Sequence, residues 1–508
     1  MLTQDHANLS NPVSVRKSAR LQIAFVGGGP SCVAAYLEIA DRLSYDVGEI
    51  TIFDPQGLMG SNAFNTHSDA LLTNTSVGVT SIKPNCDYDF LSWIRSNHRE
   101  KAFTPESFVP RKMVGEYIRD RFEAAREHLS SLGCTTTIVK SAVTDILPSS
   151  FGKKDVYTSE NDYHHFDYVI VCAGCAAKPL PSELSEHVDA ISEPYPERQL
   201  VRKTSGAKNV LILGSKLSAI DAALVLLSLD VKPKLTMASR SGSFPSVRDA
   251  LLVHSAGRFS APELQSGAQG SIYQSALRAA ISDLKDNKCQ SGCRQNGPCL
   301  DPIQQLALDI TDCEDGKNYW QSSMGSFIDE INNIWPMLSS QQQIKFQVKF
   351  RKFNSRLISA FPIENARILY AALSSEDLSI VSGEMNTIVE PARGGGFSGL
   401  GQLSGQHFDK IVNATGVDAG SFVDSSLGRR LQSTGWSLNF HGGLAVNPRT
   451  MEMQHKLGWH DGLYAIGAPI TGSLLITNYL RSSVIQAQRA VKHIHQLVHL
   501  PQADHVHQ

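Results

Sequence analysis

The chain lacks any apolar run long enough to cross a bilayer, which takes about 20 residues, so no membrane span is expected. It has no excess of charge of either sign. The 47 Lys and Arg residues nearly balance the 49 Asp and Glu residues, for a net charge of −2. That gives no electrostatic reason to expect nucleic acid or an anionic membrane as partner. The opening MLTQDHANLSNPVSVRKSAR has no apolar centre, so residues 1–20 read as a disordered tail and not as a secretory signal.

Paired metal-binding cysteines are also missing. The nine cysteines are odd in number and scattered, which suits a reducing, cytoplasmic compartment better than a disulfide scaffold. Cys289, Cys293 and Cys299 cluster, with Cys313 beyond them, and four thiolates could hold zinc. Their spacing matches no paired C-x-x-C arrangement, and no metal is expected. Cys172 and Cys175 form a C-x-x-C that could act as a redox pair. Cys172, however, ends an apolar run and reads as a buried strand residue.

The chain does have bulk and core. Its 508 residues suggest two to four domains of about 100–200 residues each, and 42% hydrophobic against 19% charged residues excludes global disorder. Residues 21–26, LQIAFV, read as a strand. GGGPSC (Gly27 to Cys32) follows, then the helical VAAYLEIADRL and a second strand, EITIFD, ending at Asp54. Strand, glycine turn, helix, strand and terminal acid form a dinucleotide-binding unit. Its glycines let the backbone approach a pyrophosphate, its helix N-terminus stabilises negative charge, and Asp54 accepts from the adenosine ribose. Cys32 stands where the fingerprint has its third glycine, at the helix–strand packing position.

A second unit begins at NVLIL (209–213), continues through GSKLSAIDAALVLLSL and ends at KLTMASRSG. No acid closes it. Arg240 stands there between Ser239 and Ser241, and a guanidinium can pair with a ribose 2′-phosphate, so the unit leans towards NADPH. Lys216 occupies a turn position where a glycine is expected. Its side chain either obstructs the pyrophosphate or turns outwards and lends it a charge.

Several stretches together resemble the bacterial FAD/NAD(P)-binding flavoproteins related to N-hydroxylating and flavin-containing monooxygenases. They are IAFVGGGPS, ALLTNTSVGVTSI followed by FLSWIRS, FVPRKMVGEYI with its F-V-P-R-x-x-x-G-x-Y signature, VIVCAG, VLILGSKLSAIDAALVLL, SRSGSFP, QQQIKFQVKFRKFNSRLISAFP, FDKIVNATG and GLYAIGAPITGSLLITN. The resemblance implies an α/β fold with two Rossmann-like domains, the NAD(P)-binding one inserted into the FAD-binding one, plus a helical insertion. The expected segments are 21–199 and 410–495 for FAD, 200–255 and 359–409 for NAD(P), 256–358 for the insertion, and a tail at 496–508.

By position, the resemblance places Gly27, Gly29, Pro30 and Ser31 at the FAD pyrophosphate and Asp54 at the ribose. Asn74, Val143, Ala173 and Gly174 would line the flavin side, and Gly467, Ser473 and Leu474 its pyrimidine end. Gly214, Ser215, Ser218, Arg240 and Ser241 would hold NADPH, with Thr415 near the nicotinamide half. Arg111, at a helix start, would reach flavin or nicotinamide nucleotide.

The implied function is a monooxygenase oxidising a small molecule with molecular oxygen, with nitrogen the candidate atom, through a flavin C4a-peroxide. The alternatives are an FAD-dependent oxidase or dehydrogenase with a vestigial nicotinamide site, and a flavin-bound assembly protein. No substrate acid or base stands out: His67, His254 and His407 are candidates only by residue type, and Trp93 and Trp320 read as packing. The Phe-Gly…His…Trp fingerprint of Baeyer–Villiger relatives and the middle-region signature of lysine and ornithine hydroxylases are both absent.

Overall fold

A computed structural model describes residues 20–251, 282 and 301–500, apart from 61–62, 150–151, 319, 419, 459–461 and 478. His254, Cys289, Cys293, Cys299 and nearly all of the expected N-terminal tail lie outside the described residues. Two five-stranded parallel sheets organise the molecule. The first runs, in spatial order, Leu463–Ala465, Tyr168–Val171, Leu21–Val26, Val47–Phe53 and Thr135–Val139. The second runs Leu378–Ser382, Lys234–Ser239, Asn209–Leu213, Lys410–Asn413 and Ala190–Ile191. Parallel strands covered on both faces are apolar throughout, which is why LQIAFV and NVLIL show no alternation.

In each sheet the strand before a glycine turn lies between the next strand of its unit and a strand from far along the chain. Leu21–Val26 is flanked by Val47–Phe53 and Tyr168–Val171, and Asn209–Leu213 by Lys234–Ser239 and Lys410–Asn413. Such reversals of strand order open a crevice at the carboxyl ends of the strands.

Three expected boundaries shift. Lys410–Asn413 pairs with Asn209–Leu213, so the return to the first sheet comes after residue 413 and not at 410. Ala190–Ile191 also joins the second sheet, ahead of the expected boundary at 199. The last helix, Leu480–His499, runs past 495, because Val491, Ile494 and Val498 continue its apolar face into the first core.

The described part of the insertion is helical, at Pro302–Glu314, Trp320–Ile334 and Ser340–Leu357. It is not an appendage. Leu306, Ile310 and Cys313 join the core of the second sheet. Trp320, Phe327, Ile331 and Trp335 form a separate cluster against Ile476. Among the described residues, no helix is long and apolar enough to cross a membrane.

The F-V-P-R-x-x-x-G-x-Y signature is explained by packing. A Cβ on Gly115 would stand 2.3 Å from the Phe64 carbonyl oxygen. The Tyr117 hydroxyl donates to Asp89 at 2.7 Å and accepts from the Ile82 N–H at 3.2 Å, tying down the helix that carries FLSWIRS. Arg111 departs from its expected role. It opens the helix Arg111–Ser131 of the first domain, and its guanidinium is buried against Asp221 of the helix Leu217–Leu227 in the second. The Nη atoms donate to the two Asp221 oxygens at 2.5 and 3.0 Å, and Nε donates to the Leu72 carbonyl at 2.9 Å. Tyr195 donates to the same carboxylate. Burial alone would push the Arg111 pKa down; Asp221 and Tyr195 beside it hold it above its ordinary value.

Removing one partner of a buried pair strands the other charge, at a cost of about 3–5 kcal/mol. Asp221→Asn is therefore expected to lower the unfolding free energy in urea by about that amount, while the double variant Arg111→Met/Asp221→Leu recovers much of it. Losses in the double variant equal to the sum of those in Arg111→Met and Asp221→Leu would show that the two side chains act independently.

Candidate functional site

The turn Gly27–Ser31 leaves the strand Leu21–Val26 and enters the helix Pro30–Arg42. Gly27 has φ +111°, and a Cβ there would meet the Cys172 carbonyl oxygen at 2.7 Å, so the turn lies flat on the end of the neighbouring strand at Cys172–Ala173. Gly29 is the N-cap and supplies no side-chain cap; Pro30 occupies the first helical position, where its missing N–H costs nothing. A Cβ on Gly29 would have no heavy atom within 4 Å. An uncapped helix N-terminus beside open space fits a pyrophosphate. Asp54 accepts from the Gly28 N–H at 2.8 Å on one oxygen and from the Gln56 N–H at 2.8 Å on the other. Each oxygen keeps a lone pair for a ribose hydroxyl.

Cys32 is fully buried, and its thiol lies against Cys172, whose Sγ is 3.1 Å from the Gly27 carbonyl oxygen. Burial, with Cys172 adding to it, pushes the Cys32 pKa well above its ordinary value. Both thiols are free and packed, so the missing third glycine is replaced by a small side chain that fills the helix–strand contact. Cys175 is free as well.

The far C-terminal segment closes on this turn. Ser31 Oγ meets Ser483 Oγ at 3.0 Å. Gly467, at φ +75°, would place a Cβ 2.8 Å from Ser31 Oγ, and its N–H donates to Gln486 at 2.7 Å. Beyond it, Ser473 Oγ donates to the Leu444 carbonyl at 2.9 Å, and Leu474 is buried. The insertion braces this segment. Trp335 Nε1 donates to the Gly472 carbonyl at 2.8 Å, and Asn332 accepts from the N–H groups of Leu475 and Ile476, each at 3.0 Å. Ser483, Gln486, Asn332 and Trp335 were not singled out in the sequence. Only the phase of their helices, read against a known partner surface, could have marked them.

The remaining first-domain candidates are dispersed. Asn74 is half-buried, and its carbonyl accepts from the buried Arg248 at 3.4 Å. Val143 is buried at the start of the antiparallel strand Val143–Pro148. Gly174 faces open space just after the strand Tyr168–Val171. His67 and His407 are exposed, and Trp93 and Trp320 are buried in packing clusters.

At the second turn Gly214 has φ +133°, and a Cβ there would meet the Ala414 carbonyl oxygen at 2.3 Å. Ser215 is buried, its hydroxyl paired with Ser239 at 2.7 Å and the Ser243 carbonyl at 2.8 Å, so it points beneath the turn. Lys216 is the N-cap of the helix Leu217–Leu227, on whose first turn Ser218 lies half-buried. The Lys216 ammonium donates to the Ser243 carbonyl at 3.3 Å, on the loop that follows the strand Lys234–Ser239. Arg240 and Ser241 are exposed on that same loop, and Ser241 accepts from Ser243 Oγ at 3.0 Å. Thr415 bonds the Asn413 side chain at 2.8 Å just after the strand Lys410–Asn413.

Gly27→Ala, strained by its positive φ and its contact with Cys172, should destabilise the fold by more than about 1 kcal/mol. Gly29→Ala should leave thermal stability within about 0.5 kcal/mol yet abolish retention of a bound dinucleotide through purification. Equal flavin content in Gly29→Ala and the parent protein would rule this turn out as the pyrophosphate cradle.

Residues 24–176 match the family model described as FAD-NAD(P)-binding. Among curated proteins, the uncharacterized protein YdhS of Escherichia coli (strain K12) aligns over 219 residues at 24% identity, taking in 40% of this chain and 39% of that one. The match thus spans well under half of that relative. Among solved structures, the ornithine N-hydroxylase KtzI of Kutzneria sp. 744, with reduced FAD, NADP+ and L-ornithine, is similar at TM-score 0.56 and 15% identity, over 94% of this chain and 100% of that one. The reduced ornithine hydroxylase PvdA of Pseudomonas aeruginosa gives 0.55 and 14%, over 94% and 100% of the two chains. The L-lysine 6-monooxygenase of Pseudomonas syringae gives 0.55 and 13%, with the same coverage of 94% and 100%. The chain has the fold of these flavoproteins: two Rossmann-like α/β domains and a helical insertion.

Proposed function

We propose that this protein is an FAD-dependent, NADPH-using monooxygenase that oxidises a small molecule with molecular oxygen, with nitrogen as the candidate atom. The observation that carries the reading is the pair of glycine-turn helix N-termini, one per parallel sheet, whose domains are joined by the buried Arg111–Asp221 pair. Gly27, Gly29, Ser31 and Asp54 would hold FAD, closed over by Gly467, Ser473 and Leu474. Gly214, Ser215, Ser218, Arg240 and Ser241 would hold NADPH. When bound, the two cofactors supply hydride transfer and oxygen activation.

The chain's own contribution is to bind, orient and exclude water. Trp335 and Asn332 fix the closing segment through hydrogen bonds to Gly472 and Leu475, and would thereby hold it over a bound flavin. Ornithine and lysine hydroxylases are among the proteins of the same fold, which supports nitrogen over carbon as the oxidised atom. Free thiols at Cys32, Cys86, Cys134, Cys172, Cys175 and Cys313 suit a reducing, cytoplasmic setting.

The purified protein should be yellow and release FAD on denaturation, and anaerobic NADPH should bleach it rapidly. Bleaching by neither NADPH nor NADH would favour an oxidase or dehydrogenase, and a colourless chain that FAD cannot reconstitute would favour an assembly role. Arg240→Ala should weaken NADPH by about tenfold, the size of one charge-assisted contact, and NADH much less. Equal losses would remove Arg240 from coenzyme choice.

A further inference from the structure

Lysine is an electrostatically poor choice for the residue that opens the helix Leu217–Leu227. The unsatisfied N–H groups there already form the positive end of the helix dipole, and no side chain caps them. Burial, with the Arg356 guanidinium adding to it, pushes the Lys216 ammonium down to about 8. Arg356, on the helix Ser340–Leu357, has its own carboxylate, Asp309, at 3.2 Å. Lys216 pairs with no carboxylate among the described residues; its ammonium is held by the Ser243 carbonyl at 3.3 Å. Arg240, three residues before Ser243, is exposed and likewise pairs with no carboxylate there. The end of the second nucleotide unit therefore carries positive charge from Lys216, Arg240 and the helix terminus, with the nearby Asp309 already engaged by Arg356.

The direction of the lysine says which anion would answer this charge. Its backbone belongs to the turn after the first strand of the unit, but its ammonium ends on the loop after the second strand. In a Rossmann-like unit the end of that second strand faces the adenosine ribose, and a cation there accommodates a 2′-phosphate. We propose that Lys216 is a second cationic contact, beside Arg240, for the adenosine 2′-phosphate of NADPH, so that the residue replacing the turn glycine sets coenzyme choice. This rests on the reading of the second unit as a nicotinamide-nucleotide site.

The test is calorimetric binding of 2′,5′-ADP and of 5′-AMP to the FAD-loaded protein, which reads neither turnover nor flavin reduction. Lys216→Met should lower affinity for 2′,5′-ADP about tenfold, as expected for one charge-assisted contact, and leave 5′-AMP within about twofold. Lys216→Arg should retain 2′,5′-ADP. Lys216→Gly should lose 2′,5′-ADP while binding 5′-AMP at least as well as the parent.

Because an anion favours the charged ammonium, 2′,5′-ADP binding at pH 8 should also take up protons, seen as a dependence of the heat on buffer ionisation, and Lys216→Met should abolish it. The charges facing the ammonium are the Arg356 guanidinium and the dipole of its own helix. Equal losses of 2′,5′-ADP and 5′-AMP, unchanged affinity for both, or no binding of 2′,5′-ADP to the parent would each overturn the assignment. Those results with flavin still bleached by NADPH sink this inference alone. Absence of bleaching sinks the functional reading itself.

Discussion

The two Rossmann-like domains are joined by a buried ion pair, Arg111–Asp221, and that pair bears on how the two domains are oriented. The arginine starts a helix of the first domain, and the aspartate sits within the helix that follows the second glycine turn. Leu71, whose carbonyl accepts the Arg111 N–H at 2.8 Å, packs in the core of the second domain, so the strap from Leu71 to Arg111 belongs to both units. A buried bidentate pair adds little net stability compared with apolar packing, but it tolerates few alternative orientations. Its value here is geometric.

The second constraint is closure. The first glycine turn and its helix N-terminus are met by a segment from more than 430 positions away in the chain, through Ser31 and Ser483. That segment has little regular structure of its own between Gly467 and Leu474. It is held by the helix Leu480–His499 on one side and by Trp335 and Asn332 of the insertion on the other. The insertion is therefore packed against that segment, and its aromatic cluster is buried there.

The two turns solve the same problem differently. At the first, the departure from the glycine fingerprint is Cys32, a small buried side chain that preserves packing and leaves the electrostatics of the helix end unchanged. At the second it is Lys216, which adds charge where the helix already has it and sends that charge towards the loop after the strand Lys234–Ser239. The first substitution is conservative in shape, and the second adds a charge.

Sequence by itself determined both strand–turn–helix–strand units, their glycine turns and Asp54, because each is a local arrangement of fewer than about 40 residues whose period and turn chemistry are written in neighbouring side chains. It also marked the F-V-P-R-x-x-x-G-x-Y stretch as special, but not why. Arg111 looked like a cofactor contact because a basic residue at a helix start has the same local appearance whether its partner is a phosphate or a carboxylate 110 residues away. Strand membership of Lys410–Asn413 and Ala190–Ile191, the bracing by Trp335 and Asn332, and the heading of Lys216 were decided by tertiary structure alone. Each depends on which distant surface a side chain meets, and that is set by packing of the two sheets and the insertion together, not by anything periodic in the chain.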